Sequence, residues 1–127
     1  MFLLDSTFLI DLHDDLRRGD GAAKRFMRKH RTQPMVITPV TANEYAVGIR
    51  HEREARRFLR RFRLLPLSRD VAMAAARLDR EQIGKGSRLG ENDTWQAAVA
   101  LHFGLTLISA DTDFAKVGGL KRIDYNA

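Results

Sequence analysis

The chain has 127 residues, and its 22 Lys and Arg against 16 Asp and Glu give a net charge of +6. The length fits one domain, residues 1–127, and the absence of cysteine excludes disulfides, thiolate metal sites and cysteine nucleophiles. The chain has no apolar run near the roughly 18 residues of a membrane span, and the N-terminal MFLLD is unlike a signal peptide. We therefore expect a cytoplasmic protein without membrane association, whose basic balance is compatible with a polyanionic partner.

Short apolar runs alternate with segments of helical periodicity along the chain. The predicted strands are Phe2–Leu4, Met35–Ile37 and residues 64–67, 105–108 and 123–125. The predicted helices cover residues 7–18 and 22–30, a segment from Thr41, the arginine-rich segment 50–63, a segment from Val71 capped by Ser68, and a last one around Trp95 that ends at Gly104. Because the strands are apolar throughout and alternate with helices, the sequence predicts an α/β fold. Its central sheet is expected to be mainly parallel, with four to five strands flanked by helices.

Positive charge is concentrated in two of the predicted helical regions. Residues 17–31 carry seven Lys and Arg against one acid, and residues 50–63 carry seven Arg against two acids. Such segments can be solvated helix faces, but the guanidinium group also presents a fixed set of donors that suits phosphate. The candidate phosphate-binding residues are Arg17, Arg18, Arg50 and Arg53.

Several common types of active site have no counterpart in the sequence. The four histidines are scattered, and neither a GxSxG nor a GxGxxG motif is present. The glycine-rich residues 84–90 lie between two predicted helices and lack the spacing of a phosphate-binding loop. Carboxylates are the chemistry that remains.

Four acids have positions that are informative in a parallel sheet. Asp5 directly follows the first strand and Asp111 lies just beyond the fourth, so both are expected at the edge where ligands bind in open parallel sheets. Glu44 lies in the first turn of the helix after Met35–Ile37, near the same edge. Asp93 begins the helix before the fourth strand, and topology alone does not place it with the others. If the four acids converge, their repulsion requires a hard divalent cation such as Mg²⁺ or Mn²⁺.

Two of these acids also have structural explanations. Thr41 and Glu44 fit a capping box at a helix N-terminus. Asn92 can cap the following helix, with Asp93 facing the helix dipole. Asp5 is harder to explain in this way, because an acid directly after a buried apolar strand has little structural purpose there.

Four sequence motifs, in order, resemble those of PIN-domain nucleases. They are Leu3-Leu4-Asp5-Ser6; Thr41-Ala42-Asn43-Glu44 with Gly48; the run from Gly90 to Ala98; and the run from Leu107 to Phe114 followed by Val117-Gly118-Gly119-Leu120. The ordered set spans nearly the whole chain. The short length is similar to VapC-type toxins of bacterial or archaeal toxin–antitoxin pairs. Ser109 stands where threonine is common in the family, and Asp111 where asparagine is frequent.

The resemblance implies a single PIN-like domain that gathers the four acids in one pocket and cleaves RNA with Mg²⁺ or Mn²⁺. Asp5 and Asp93 carry over as metal ligands, and Glu44 and Asp111 as further ligands or as groups that hold the attacking water. The residues expected to orient these acids are Ser6, Asn92 and Ser109. The resemblance also implies a homodimer and neutralisation by a small antitoxin protein, while the choice between one metal ion and two stays open.

The leading hypothesis is therefore an endoribonuclease toxin that hydrolyses RNA phosphodiester bonds with a divalent metal. The alternative is a catalytically weak PIN-like module that acts in a protein or operator-DNA complex. A phosphoacceptor receiver domain is disfavoured, because the third predicted strand, residues 64–67, is followed by no acid before Asp70.

Overall fold

The computed structural model describes all 127 residues, and pairs of helices separate the first four strands. The strands are β1 (Phe2–Leu4), β2 (Met35–Ile37), β3 (Arg63–Leu64), β4 (Thr106–Ile108) and β5 (Arg122–Ile123). The helices are α1 (Ser6–Arg18), α2 (Ala22–Lys29), α3 (Pro39–Val47), α4 (Glu52–Leu59), α5 (Arg69–Gly84) and α6 (Glu91–Phe103), and Thr112–Lys116 form a short 3-10 helix. None of the helices combines the length and the apolar character needed to cross a bilayer.

The five strands form one sheet in the order β3-β2-β1-β4-β5, and every neighbouring pair is parallel. The predicted α/β class and mainly parallel sheet are therefore confirmed. The first strand is central, and Leu4 at its end is in register with Ile108 at the end of β4. The two carboxyl ends thus meet at the same place on the sheet edge.

Helices cover both faces of the sheet, so the core has two apolar layers. Phe2 and Leu4 of β1 pack with residues from α1 to α4, whereas Leu3 packs with residues from α5 and α6. Successive side chains of a strand point to opposite faces, which explains why one strand feeds both layers. The central strand β1 is apolar throughout because helices cover both of its faces, whereas the edge strands β3 and β5 each contain an exposed or half-exposed arginine.

The third strand is displaced from its predicted position at residues 64–67. It comprises Arg63–Leu64, and its pairing with β2 continues only through the Leu65 amide, which donates to the Ile37 carbonyl at 2.8 Å. Pro66 lacks an N–H group, so the hydrogen-bond ladder cannot extend through the remaining residues of the apolar run.

The fifth strand also differs from its prediction over residues 123–125. It ends at Ile123, and Tyr125 turns into the core instead, where its ring packs edge-on against Phe8 at 4.8 Å between centroids. The Tyr125 hydroxyl donates to Asp11 at 2.6 Å. Packing of this one aromatic side chain therefore replaces continued strand pairing.

The predicted start of α5 and the predicted end of α6 are confirmed, whereas the predicted start of α3 is wrong. The Ser68 hydroxyl accepts from the Val71 amide at the start of α5, and Gly104 ends α6 with a φ of +66°. The third helix, in contrast, begins at Pro39, and the Thr38 hydroxyl accepts from the Thr41 amide at 3.2 Å. Proline is well suited to the first position of a helix, so α3 begins two residues before Thr41. The capping-box explanation of Glu44 is therefore wrong, which removes one structural reason for that acid.

Candidate functional site

The order of the strands creates a crevice at the carboxyl ends of β1 and β4. The chain proceeds from β1 to β2 and β3 on one side, then returns through α5 and α6 to place β4 on the other side of β1. Ligands of open α/β sheets bind where the strand order reverses in this way. Asp5 follows β1 directly, and Ser109 and Asp111 follow β4, so all three lie at the crevice.

Asp5 is a buried carboxylate, with 4% of its surface exposed. One carboxylate oxygen accepts from the Ser6 amide at 2.8 Å, which makes Asp5 the N-cap of α1, and the other accepts from the Ser109 hydroxyl at 2.7 Å. Burial is the main cause that raises the pKa of Asp5; the Ser109 and Ser6 hydrogen bonds lower it, and the charges of Glu44 and Asp111 raise it further. The local structure therefore holds this carboxylate firmly and leaves its charge uncompensated.

Ser109 connects the ends of the two central strands. Besides donating to Asp5, its hydroxyl oxygen accepts from the Asp111 amide at 3.1 Å, and its carbonyl accepts from Arg122 at 2.9 Å. Asp111 in turn caps the 3-10 helix, since its carboxylate accepts from the Asp113 amide at 2.9 Å. The serine that stands in place of the family's usual threonine thus makes the contacts that position two of the acids.

Asp93 lies half-buried in the first turn of α6. Its pKa is raised from 3.8 to about 6, first by burial and then by the charges of other acids. The acids that act on it are Asp5, Asp111, Glu44 and Asp113. The fold therefore brings Asp93 within electrostatic range of the other three predicted site acids, which the sequence pattern alone did not establish. The predicted N-cap of α6, Asn92, is wrong. Gly90 occupies the N-cap position, and Asn92 is an exposed residue within the first turn of the helix.

Glu44 lies in the second turn of α3 and is half-buried. Its charge raises the pKa values of both Asp5 and Asp93. Ser6 contributes its backbone amide to Asp5, and its side chain is half-buried. The four acids thus share one region of negative potential at the end of the central strands.

The donor set of this region suits a hard divalent cation, because it consists of carboxylate oxygens. No three carboxylate or imidazole groups stand together as a ready set of metal ligands.

The sequence analysis did not predict a series of hydrogen bonds between buried polar side chains of α3 and α6. The Thr38 hydroxyl donates to the Gln96 side-chain oxygen at 2.7 Å, the Gln96 amide nitrogen donates to the Thr41 hydroxyl, and the Thr41 hydroxyl donates to the Leu4 carbonyl at 3.4 Å. All three side chains are 0% exposed. A glutamine within the otherwise apolar stretch of α6 was the indication in the sequence that could have revealed it.

The four candidate arginines are exposed. Arg17 and Arg18 occupy the last turn of α1, and a helix of 13 residues that starts beside Asp5 carries them ~20 Å away from it. Arg50 follows the end of α3, and Arg53 lies in the first turn of α4. The structure therefore places all four arginines on the exposed surface, two of them at the far end of α1 from Asp5.

Comparison with known proteins agrees with this geometry. A family model described as the PIN domain matches residues 2–120, whereas no curated protein matches the chain significantly. A chain of a toxin–antitoxin complex from Klebsiella pneumoniae is 27% identical, with a TM-score of 0.76 over 98% of both chains. FitAcB from Neisseria gonorrhoeae is 19% identical, with a TM-score of 0.79 over 98% of both chains. VapBC-1 from nontypeable Haemophilus influenzae is 20% identical, with a TM-score of 0.78 over 99% of this chain and 98% of that one.

The chain therefore belongs to the PIN-domain family, as its four ordered motifs predicted. Its structural neighbours include toxin–antitoxin complexes, which agrees with the resemblance of its motifs to VapC-type toxins.

The variant Asp93→Asn should be more stable than the wild type when no divalent cation is bound. Because the folded-state pKa of Asp93 is raised to about 6, its carboxyl group destabilises the folded chain increasingly as the pH rises from 4 through 6. Since the group is half-exposed, screening reduces the effect, and we expect a gain of ~1 kcal/mol, or ~3 °C in Tm, at pH 8 and none at pH 4. Thermal unfolding with a chelator across this pH range measures the difference.

Glu91→Gln is the matched control, because Glu91 is an exposed acid in the same helical turn. Its Tm should change by less than that of Asp93→Asn. A Tm for Asp93→Asn at or below the wild-type value at pH 8 would show that Asp93 is not electrostatically disfavoured.

Proposed function

We propose that this protein is a divalent-metal-dependent endoribonuclease and the toxin of a toxin–antitoxin pair. PIN domains are generally nucleases. The observation that carries the proposal is the mutual influence of the four carboxylates Asp5, Glu44, Asp93 and Asp111 at the crevice between β1 and β4. This concentration of unpaired negative charge is unfavourable for folding and has an evident use in binding a cation.

Asp5 and Asp93 are the proposed principal ligands of Mg²⁺ or Mn²⁺. Asp5 is held by two hydrogen bonds, so its carboxylate is positioned before an ion arrives. Glu44 and Asp111 would complete the ligand set or accept a hydrogen bond from the attacking water. A divalent ion bound there supplies Lewis acidity, which lowers the pKa of water and offsets charge on the phosphate.

The proposed substrate, RNA, would be held by the basic surface around these acids. Arg50 lies between α3 and α4, and Arg53 lies in the first turn of α4. Both are exposed and close in sequence to Glu44. Arg17 and Arg18 would contact phosphates farther along the strand, since they lie ~20 Å from Asp5. Arginine forms charge-assisted hydrogen bonds to phosphate without reading the base, so these residues would bind RNA of any sequence.

Asp5→Asn and Asp93→Asn should each lower the rate of Mn²⁺-dependent RNA cleavage by at least ~100-fold, because each substitution removes a charged ligand. Single-turnover cleavage of a labelled RNA measures the rate. The control variant Glu81→Gln should cleave like the wild type, because Glu81 is an exposed acid near the C-terminal end of α5. Cleavage by both Asn variants at the wild-type rate would refute the site. A wild-type chain that neither binds metal nor cleaves RNA would instead favour the catalytically weak binding module.

The double variant Arg50→Ala/Arg53→Ala should raise the KM for RNA severalfold with little change in kcat. Two lost phosphate contacts should also make the plot of log affinity against log salt concentration shallower by ~1.4. Arg77→Ala/Arg80→Ala removes two arginines of α5 and serves as the control of equal charge. An equal loss in both double variants would mean that only the net charge matters and that the two positions make no specific contact.

A groove beside the first two helices is the proposed antitoxin-binding surface. Its volume is about 370 Å³. The apolar residues that line it are Leu12, Leu16, Met27, Met35 and Phe62, and the polar and basic ones are Lys24, Arg31, Gln33 and Arg61. An apolar floor with a basic margin fits an amphipathic segment with acidic residues, which is the proposed character of the antitoxin.

We also propose that the protein assembles as a homodimer, which sedimentation velocity would measure.

Leu16→Glu should prevent neutralisation by the proposed antitoxin while leaving RNA cleavage intact. A negative charge in the groove would repel an acidic partner and interrupt its apolar floor. Ile10→Glu is the matched control, because Ile10 lies on the same helix with a similar exposure, 42% against 37%, but does not line the groove. Titration of each variant with the partner, with RNA cleavage as the readout, measures the effect. Equal neutralisation of both variants would place the partner elsewhere.

A further inference from the structure

The chain of hydrogen bonds through Gln96 crosses between the two layers of the fold. The third helix packs in one apolar cluster, through Tyr45, and α6 packs in the other, through Ala97 and neighbouring residues. Gln96 on α6 is hydrogen-bonded to both Thr38 and Thr41 at the start of α3. Apolar contacts have no preferred direction, whereas hydrogen bonds fix both distance and orientation. The link therefore determines how the two layers are related at this edge of the sheet.

Each end of this link lies within one helical turn of a proposed metal ligand. Gln96 follows Asp93 by three residues on α6, and Thr41 precedes Glu44 by three residues on α3. Residues three apart lie on the same side of a helix. The chain ends on the carbonyl of Leu4, the residue directly before Asp5. Three separate elements that carry acids are thus joined by uncharged groups.

We propose that Gln96 is a positioning residue that sets the separation of Asp93, Glu44 and Asp5. The proposal rests on the metal-dependent nuclease function proposed above. A carboxamide fits this place because its oxygen accepts from Thr38 while its nitrogen donates to Thr41. A charged residue in its place would alter the electrostatics of the acids, and an apolar one would leave the buried Thr38 hydroxyl without an acceptor and the buried Thr41 hydroxyl without the donor that Gln96 supplies.

Gln96→Met tests this role, because methionine is unbranched and close to glutamine in size but cannot make either hydrogen bond. Gln82→Met is the matched control. Gln82 is also buried, 1% exposed, and donates to the Ser87 and Lys116 carbonyls at 2.9 and 3.1 Å. Both variants lose buried hydrogen bonds and should lose Tm by similar amounts. Only Gln96→Met should raise the Mn²⁺ concentration for half-saturation, by ~10-fold or more, measured by calorimetry without RNA.

Amide hydrogen exchange in the metal-free protein provides a second readout. Gln96→Met should increase exchange over residues 41–45 of α3, and Gln82→Met should not. Thr41→Val removes the same link from the other side without changing the side-chain shape, so it should reproduce both effects if Gln96→Met does not fold. An unchanged Mn²⁺ affinity together with unchanged exchange in α3 would overturn the proposal. If the wild type binds no Mn²⁺, the nuclease function fails, and the exchange comparison alone decides whether Gln96 positions α3.

Discussion

The buried carboxylate of Asp5 is the constraint on which this end of the structure depends. A charge after a central strand must be stabilised or it opposes folding, and here the Ser6 amide and the Ser109 hydroxyl each bind one of its oxygens. The same arrangement begins α1 and joins the ends of β1 and β4, since Ser109 also binds the Asp111 amide. One side chain therefore caps a helix, connects two strands and occupies the crevice. The remaining burial penalty is visible in its raised pKa.

Asp5 and Asp111 accept hydrogen bonds from neutral groups, and none of the four acids of the crevice forms an ion pair. The ion pairs of the protein join other residues: His13 with Glu54, Arg25 with Asp20, Arg56 with Glu52, Arg88 with Asp79 and Lys116 with Asp113. Hydrogen bonds from serine, threonine and glutamine position the backbone without neutralising the carboxylates. An arginine in the same place would stabilise the fold more, but it would occupy the space of a metal ion and compensate the charge that attracts it. The uncompensated carboxylates therefore make the folded state less stable than an arginine beside them would, at the place where the cation would bind.

The sequence was sufficient to predict the features that depend on local pattern. Apolar strands indicated a parallel sheet, and a parallel sheet with Asp5 and Asp111 after its strands indicated which edge carries the acids. The position of Asp93 could not be predicted in this way, because it depends on how α6 packs against the opposite face. The start of α3 was mispredicted because both Thr38 and Thr41 could serve as the cap, and only the packed structure shows that Thr41 contacts Leu4 instead. The link through Gln96 joins residues 55 and 58 positions apart, beyond the reach of any periodicity.

The net charge of +6 combines two regions of opposite sign, the acidic crevice and the basic surface. Burial and the neighbouring acids are the main causes that raise the pKa of Asp93. Arg17 and Arg18 lie ~20 Å from Asp5, about two Debye lengths at physiological salt, so they are screened from the acids. These two arginines can therefore attract a polyanion without neutralising the crevice, and the crevice repels the same polyanion until a cation compensates it. If both regions take part in RNA cleavage, the metal ion is needed for the RNA backbone to approach the acids as well as for the chemical step.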